Sequence, residues 1–76
     1  MRDLIEYIAK SLVEDAERVS VERVEGDKTT IYQLRVSPED RGRVIGRQGR
    51  TARSIRTVLN AAASKVGKRV ILEIVE

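Results

Sequence analysis

"GRVIGRQGRTARSIR" (residues 42–56) places three glycines within eight positions, sets an arginine beside almost every one, and contains no acid. Two glycines three apart, Gly46 and Gly49, read as the turn between two helices: one ends the first helix and the other lets the chain enter the next. That reading accounts for the glycines but not for the cations. Arg50 and Arg53 fall in the first turn of the new helix, where the helix dipole favours Asp or Glu. A bound anion removes the conflict, because free N–H groups at a helix start and in a glycine turn attract negative charge. With no Cβ at 46 and 49, a sugar-phosphate chain can approach the backbone while Arg47 and Gln48 project from the tip. The nucleotide-cofactor alternatives fail. Glycines at 42, 46 and 49 do not make GxGxxG, and no Lys-Ser or Lys-Thr follows at the spacing that holds ATP phosphates.

The charge pattern along the 76 residues supports an anionic partner. Residues 1–40 carry six basic and ten acidic side chains, whereas residues 41–69 carry nine basic and none acidic, so the modest net charge of +3 conceals a one-sided field. Nucleic acid and an anionic membrane surface are the two candidates, against a merely solvated basic face. The chain has no cysteine and no histidine, which removes disulfides, the commonest metal ligands and the commonest general base. No nucleophile has a candidate base nearby and no acid falls within 41–69, so neither catalysis nor a cofactor is expected. The N-terminal apolar run is broken by Glu6 and Lys10 and reads as neither signal peptide nor membrane span; a soluble cytoplasmic protein is expected.

Working outward from the glycine loop, Ser37-Pro38-Glu39-Asp40 is a helix-start signal, predicting a short helix from Ser37 to about Ile45. The helix after Gly49 puts Ile55, Val58, Leu59, Ala62 and Val66 on one side and ends near Gly67. Upstream, Leu4, Ile5, Ile8, Leu12 and Val13 predict an amphipathic helix over residues 3–15. Residues 19–25 and 28–36 read as strands joined by a tight turn at Gly26-Asp27. Thr30, Tyr32, Leu34 and Val36 share one face; Val24 is out of phase with Val19 and Val21, which predicts a bulge or a frayed end. Arg69 to Val75 reads as a last strand, parallel to the second through a right-handed crossover. The expectation is an α+β domain over 1–76 with a three-stranded mixed sheet, helices on one face, and strand 28–36 in the centre. Ile31, Ile71 and Val75 then point to the other face, which, like the small-residue stretch 60–64, is a possible contact surface for a partner.

The segment Val44-Ile45-Gly46-Arg47-Gln48-Gly49, followed by Ile55, resembles the signature of KH domains, whose GXXG loop clamps four nucleotides of single-stranded RNA or DNA. The leading helix and trailing strand are similar to the type II arrangement, α-β-β-α-α-β. The likeness runs the length of the chain, and "SPEDRGRVIGRQGRTARSIRTVLNAAA" resembles the small bacterial single-KH RNA-binding proteins of the KhpA family. Ala52 departs from the pattern, standing where many KH domains carry a larger aliphatic residue at the base-binding groove. The resemblance implies a non-catalytic binder of single-stranded RNA, acting as RNA chaperone or post-transcriptional regulator. It implies that Gly46, Arg47, Gln48 and Gly49 touch the backbone and that Val44, Ile45, Leu34 and Val36 help wall a groove for bases; Ile45 reads equally well as core. Arg43, Arg47, Arg50 and Arg53 are the expected phosphate contacts. With Tyr7 and Tyr32 the only aromatics, no stacking platform is available. The resemblance also carries an alternative, a protein-interaction module that forms a homodimer or assembles with a second KH-containing protein.

Overall fold

The computed structural model describes residues 1–65 and 67–75. The first helix, α1, spans Arg2–Leu12. Lys10 donates to the Glu6 carboxylate at 2.8 Å, one helical turn away, and Ile5 and Ala9 are its buried residues, each 1% exposed. It stops three residues short of the predicted end. The N–H groups of Glu14 and Asp15, which a longer helix would direct back along itself, donate instead to the two carboxylate oxygens of Asp40, each at 3.1 Å. A distant acceptor thus overrides the local periodicity, and the chain makes a 3-10 turn at Ala16–Arg18 that the apolar spacing does not announce.

Strands β1 (Ser20–Glu25) and β2 (Thr29–Arg35) pair antiparallel, and β3 (Arg69–Ile74) lies parallel to β2, giving the order β1-β2-β3 with β2 central as predicted. The register Glu25↔Thr30, with the Gly26 N–H donating to the Thr29 carbonyl at 2.8 Å, puts the two-residue tip at Asp27-Lys28. The predicted tip at Gly26-Asp27 is one residue early. Gly26 keeps φ below zero, so the turn does not use the freedom that singled it out. Val24 is not at a bulge: it pairs with Ile31, which pairs with Ile71, so the three form one apolar row across the open face of the sheet.

The helix expected from Ser37 begins as a 3-10 turn at Pro38–Asp40 and becomes α2 at Arg41–Ile45. Ser37 does not cap it; its hydroxyl donates to Glu39 at 2.6 Å. After the glycine loop, α3 runs Arg50–Ser64 and buries Ala52, Ile55, Leu59 and Ala63, one stripe at helical spacing. Val58, 52% exposed, and Ala62 fall outside that stripe, contrary to expectation, and Val66 lies outside the described residues. α1 packs on β1 and β2, α3 packs on β3, and α2 packs on α3. The core between these helices and the sheet includes Ile5, Tyr32, Leu34, Val44, Ile55, Leu59 and Leu72. Fully burying each large apolar side chain there stabilises the fold by about 1.5–3 kcal/mol. The result is the α-β-β-α-α-β, three-stranded mixed-sheet architecture of a type II KH fold.

Candidate nucleic-acid interface

Gly46 ends α2 with φ 77°, ψ 172°, a combination essentially restricted to glycine. A Cβ on it would fall 2.8 Å from the backbone nitrogen of Thr51 and overlap the Thr51 side chain. Gln48 and Gly49 follow in left-handed conformation, with φ 56° and 74°. Gly49 differs from Gly46 in its surroundings, because a Cβ there would meet no protein atom within 4 Å. The first glycine is therefore demanded by packing as well as by backbone angle. The second leaves open space that a ligand can enter. Arg47 and Gln48 are both exposed at the tip, and α3 opens behind them with no side-chain cap and no acid in its first turn.

Beside the loop lies an open groove of about 420 Å³. One wall is Ile45, Gly49, Ala52 and Arg56; the other is β3, from Ile71 to Ile74. Ala52, 3% exposed, lies at the back of the helical wall, so its small side chain leaves the groove deeper than a larger aliphatic residue would. Arg56 reaches across and donates through Nε and Nη2 to the Leu72 carbonyl, both at 3.3 Å, tying α3 to the outer edge of the sheet. As an edge strand, β3 has further backbone groups without a strand partner on this side. Glu73 contributes the one carboxylate in the lining.

The cations of 41–69 divide by what they touch. Arg43 is held by Asp40 at 3.3 Å and Glu14 at 2.9 Å, and Lys68 by Glu25 at 2.6 Å. Asp40 is buried, and the Glu14 N–H is the largest influence holding its carboxyl below the ordinary aspartate range; burial opposes this, and the Asp15 N–H and Arg43 add to it. The Glu25 carboxyl is likewise lowered, first by its hydrogen bond from Lys68 and then by the charge of Arg23. Arg47, Arg50 and Arg53 make no salt bridge among the described residues. Arg41, Arg56, Lys65 and Arg69 also lack a salt bridge among the described residues, and Arg47, Arg50 and Arg53 are the unpaired cations of the glycine loop and the first turn of α3.

Of the residues singled out in the sequence, Gly49 and Ile45, the latter 37% exposed, line the groove, while Gly46, Arg47 and Gln48 form the adjoining loop and Arg50 and Arg53 lie in the first turn of α3. Arg43 pairs with Asp40 and Glu14 while its side chain stays half-exposed, which sets it apart from Arg47, Arg50 and Arg53. Two expectations are corrected. Val44 is fully buried and faces the core, because consecutive residues on a helix point in different directions and Ile45 takes the outward one. Leu34 is 0% exposed and Val36 lines a different pocket, so β2 does not wall the groove. The wall is β3 instead, because the sheet order leaves that strand on the edge next to α3. Arg56 and the stretch Ile71–Ile74 are the members that sequence reasoning missed. The signal for Arg56 is its position four residues after Ala52, on the same side of α3.

A family model described as the KhpA/KhpB KH domain matches residues 2–74. The chain is 50% identical over 76 residues to the RNA-binding protein KhpA of Aquifex aeolicus, with 100% of this chain and 96% of the relative covered. It is 55% identical over 75 residues to the RNA-binding protein KhpA of Clostridium perfringens, covering 99% of this chain and 100% of the relative. The protein of the same name from Borreliella burgdorferi is 53% identical over 74 residues, covering 97% of this chain and 90% of the relative. No solved structure gives a significant match.

Proposed function

This chain belongs to the KhpA/KhpB family of KH domains, and on that premise we propose that it is a non-catalytic RNA-binding protein that holds a single strand in the groove between the glycine loop and β3. The observation that carries this reading is the pairing of an unobstructed loop backbone at Gly49 with three arginines that lack carboxylate partners. The sugar-phosphate backbone lies along Gly46 to Gly49 and the start of α3, with Arg47, Arg50 and Arg53 as counterions. Bases point toward Ile45, Ala52 and the β3 edge, where unpaired backbone groups can meet base edges and aliphatic side chains replace stacking. The unit of binding is the single domain over 1–76. Its role is that of a cytoplasmic RNA chaperone or post-transcriptional regulator, in keeping with a groove that recognises backbone and shape with few sequence-reading side chains. Among the described residues, no helix is long and apolar enough to cross a membrane.

The test is the double variant Arg47→Asp, Gln48→Asp. Both side chains are exposed, and aspartate tolerates the left-handed angles of position 48, so stability changes by about ±0.5 kcal/mol or less. Two carboxylates facing the phosphates cost several kcal/mol of binding, so affinity for a single-stranded oligoribonucleotide falls by roughly a hundredfold or more. Parental affinity in a variant that melts like the parent refutes the loop clamp. A second reading, assembly with another copy or with a second KH-containing chain, is favoured by the aligned row Val24, Ile31 and Ile71, whose outer members are 45% and 39% exposed.

A further inference from the structure

A second pocket, of about 390 Å³, lies at the end of the sheet where β2 and β3 finish and the turn into α2 begins. Arg18, Arg35 and Arg41 line it together with Ser37, Val36 and Val75, and among the described residues no carboxylate does. Three guanidiniums around one open pocket repel one another unless an anion sits between them. Their own partners do not cancel them. Arg18 reaches Asp15 only at 4.0 Å, and Arg35 makes no salt bridge among the described residues. The Nε of Arg41 is buried and has no hydrogen-bond partner among the described residues. Glu39 feels the charge of Arg18 through space, but its carboxylate takes its hydrogen bond from the Ser37 hydroxyl at 2.6 Å.

The pocket adjoins the groove along the chain, although no residue lines both. Ile74 lines the groove and Val75, the next residue along the strand, lines the pocket. On the opposite side, Ile45 lines the groove and Arg41, one turn back along α2 at about 6 Å, lines the pocket. Residues near one another in the chain, at the end of β3 and along α2, thus line the groove and the pocket in turn. We propose that the pocket bounded by Arg18, Arg35 and Arg41 binds a backbone phosphate of the same single strand, beyond the nucleotides held in the groove. The forked, permanently charged guanidinium suits a phosphate, and an extended strand leaving the groove has to pass the pocket mouth. The inference rests on the groove being a single-strand site, and it enlarges the footprint past the four nucleotides of one KH groove.

The test measures binding of a tetranucleotide and a decanucleotide of uridine to the full chain across a salt series, comparing the parent with the Arg18→Gln, Arg35→Gln double variant. Both substituted residues are exposed, so the variant folds as the parent does. Comparing proteins on the same oligonucleotide removes the advantage of multiple registers on the longer one. The expected result is unchanged tetranucleotide affinity, about tenfold weaker decanucleotide binding, and a decanucleotide log–log salt slope shallower by roughly 0.7, the value for the one phosphate charge left unneutralised. Equal decanucleotide affinity and slope in the two proteins overturn the inference. So does equal weakening on both lengths, which marks a diffuse field rather than a localised phosphate site. The Arg47→Asp, Gln48→Asp variant run alongside separates the two levels: if it keeps parental binding to both lengths, the groove reading itself fails. If it binds neither while the Arg18, Arg35 variant matches the parent, only the extension fails.

Discussion

Replacing each loop glycine by alanine separates what the fold requires from what the ligand requires. At Gly46 the new methyl enters a backbone region costing about 1–3 kcal/mol for any side chain. It also lies 2.8 Å from the Thr51 backbone nitrogen, within a helix turn that cannot yield cheaply. Overpacking of this kind adds about 1–3 kcal/mol. Gly46→Ala is therefore expected to lose roughly 3 kcal/mol or more, a fall in Tm of about 12–24 °C for a domain of this size. At Gly49 the left-handed backbone alone costs about 1–2 kcal/mol, because the methyl meets nothing, and Tm falls by about 4–16 °C. Circular dichroism melts give both values. Fluorescence anisotropy with a single-stranded oligoribonucleotide then gives the second contrast. Gly49→Asn, which tolerates left-handed angles, recovers much of the stability but not the binding, because its side chain occupies the space beside the loop backbone. If Gly46→Ala melts no lower than Gly49→Ala, the packing of Thr51 against the loop is wrong. If Gly49→Asn binds like the parent, the loop backbone does not touch the strand.

Two further outcomes follow from the structure. The lowered carboxyl of Asp40 contributes stability that is fully present above the ordinary aspartate range near pH 4 and is lost as pH falls through its lowered value. Asp40→Asn is accordingly expected to melt well below the parent at neutral pH, with the gap closing as pH falls below the ordinary aspartate range; a constant gap refutes the ionic role. If the open sheet face assembles, the parent self-associates in concentrated sedimentation runs and Val24→Gln, placed on the edge strand away from the groove, does so less. A strict monomer at high concentration refutes the homodimeric form of that reading.

The fold was largely legible because its local signals agree with its packing. Alternation in 28–36, the helix-start signal at 37–40, and the long crossover to the last strand each specify an element that the sheet then uses. Misses occur where a distant group overrules a local pattern. The Asp40 carboxylate takes the N–H groups of Glu14 and Asp15 and cuts α1 short, and nothing in residues 3–15 announces an acceptor 25 positions away. The hairpin tip shifts by one residue because the register that sets Val21 opposite Leu34 in the core outweighs the turn preference of Gly26.

For the site, the expectation of an anion at Gly46 to Gly49 comes from composition and spacing alone. Glycine angles and helix-start charge are properties of adjacent residues, and they hold wherever the loop is placed. Which arginines remain free, and what faces them, was decided only by tertiary structure. Arg43 and Arg47 look alike in the sequence, yet one rests on the carboxylates of Asp40 and Glu14 and the other projects into solvent. The second wall of the groove comes from Ile71 to Ile74, more than twenty residues further along the chain, because parallel pairing with β2 leaves β3 on the sheet edge against α3. A charge has a sign in the sequence, but its partner is whichever group the folded chain brings within reach.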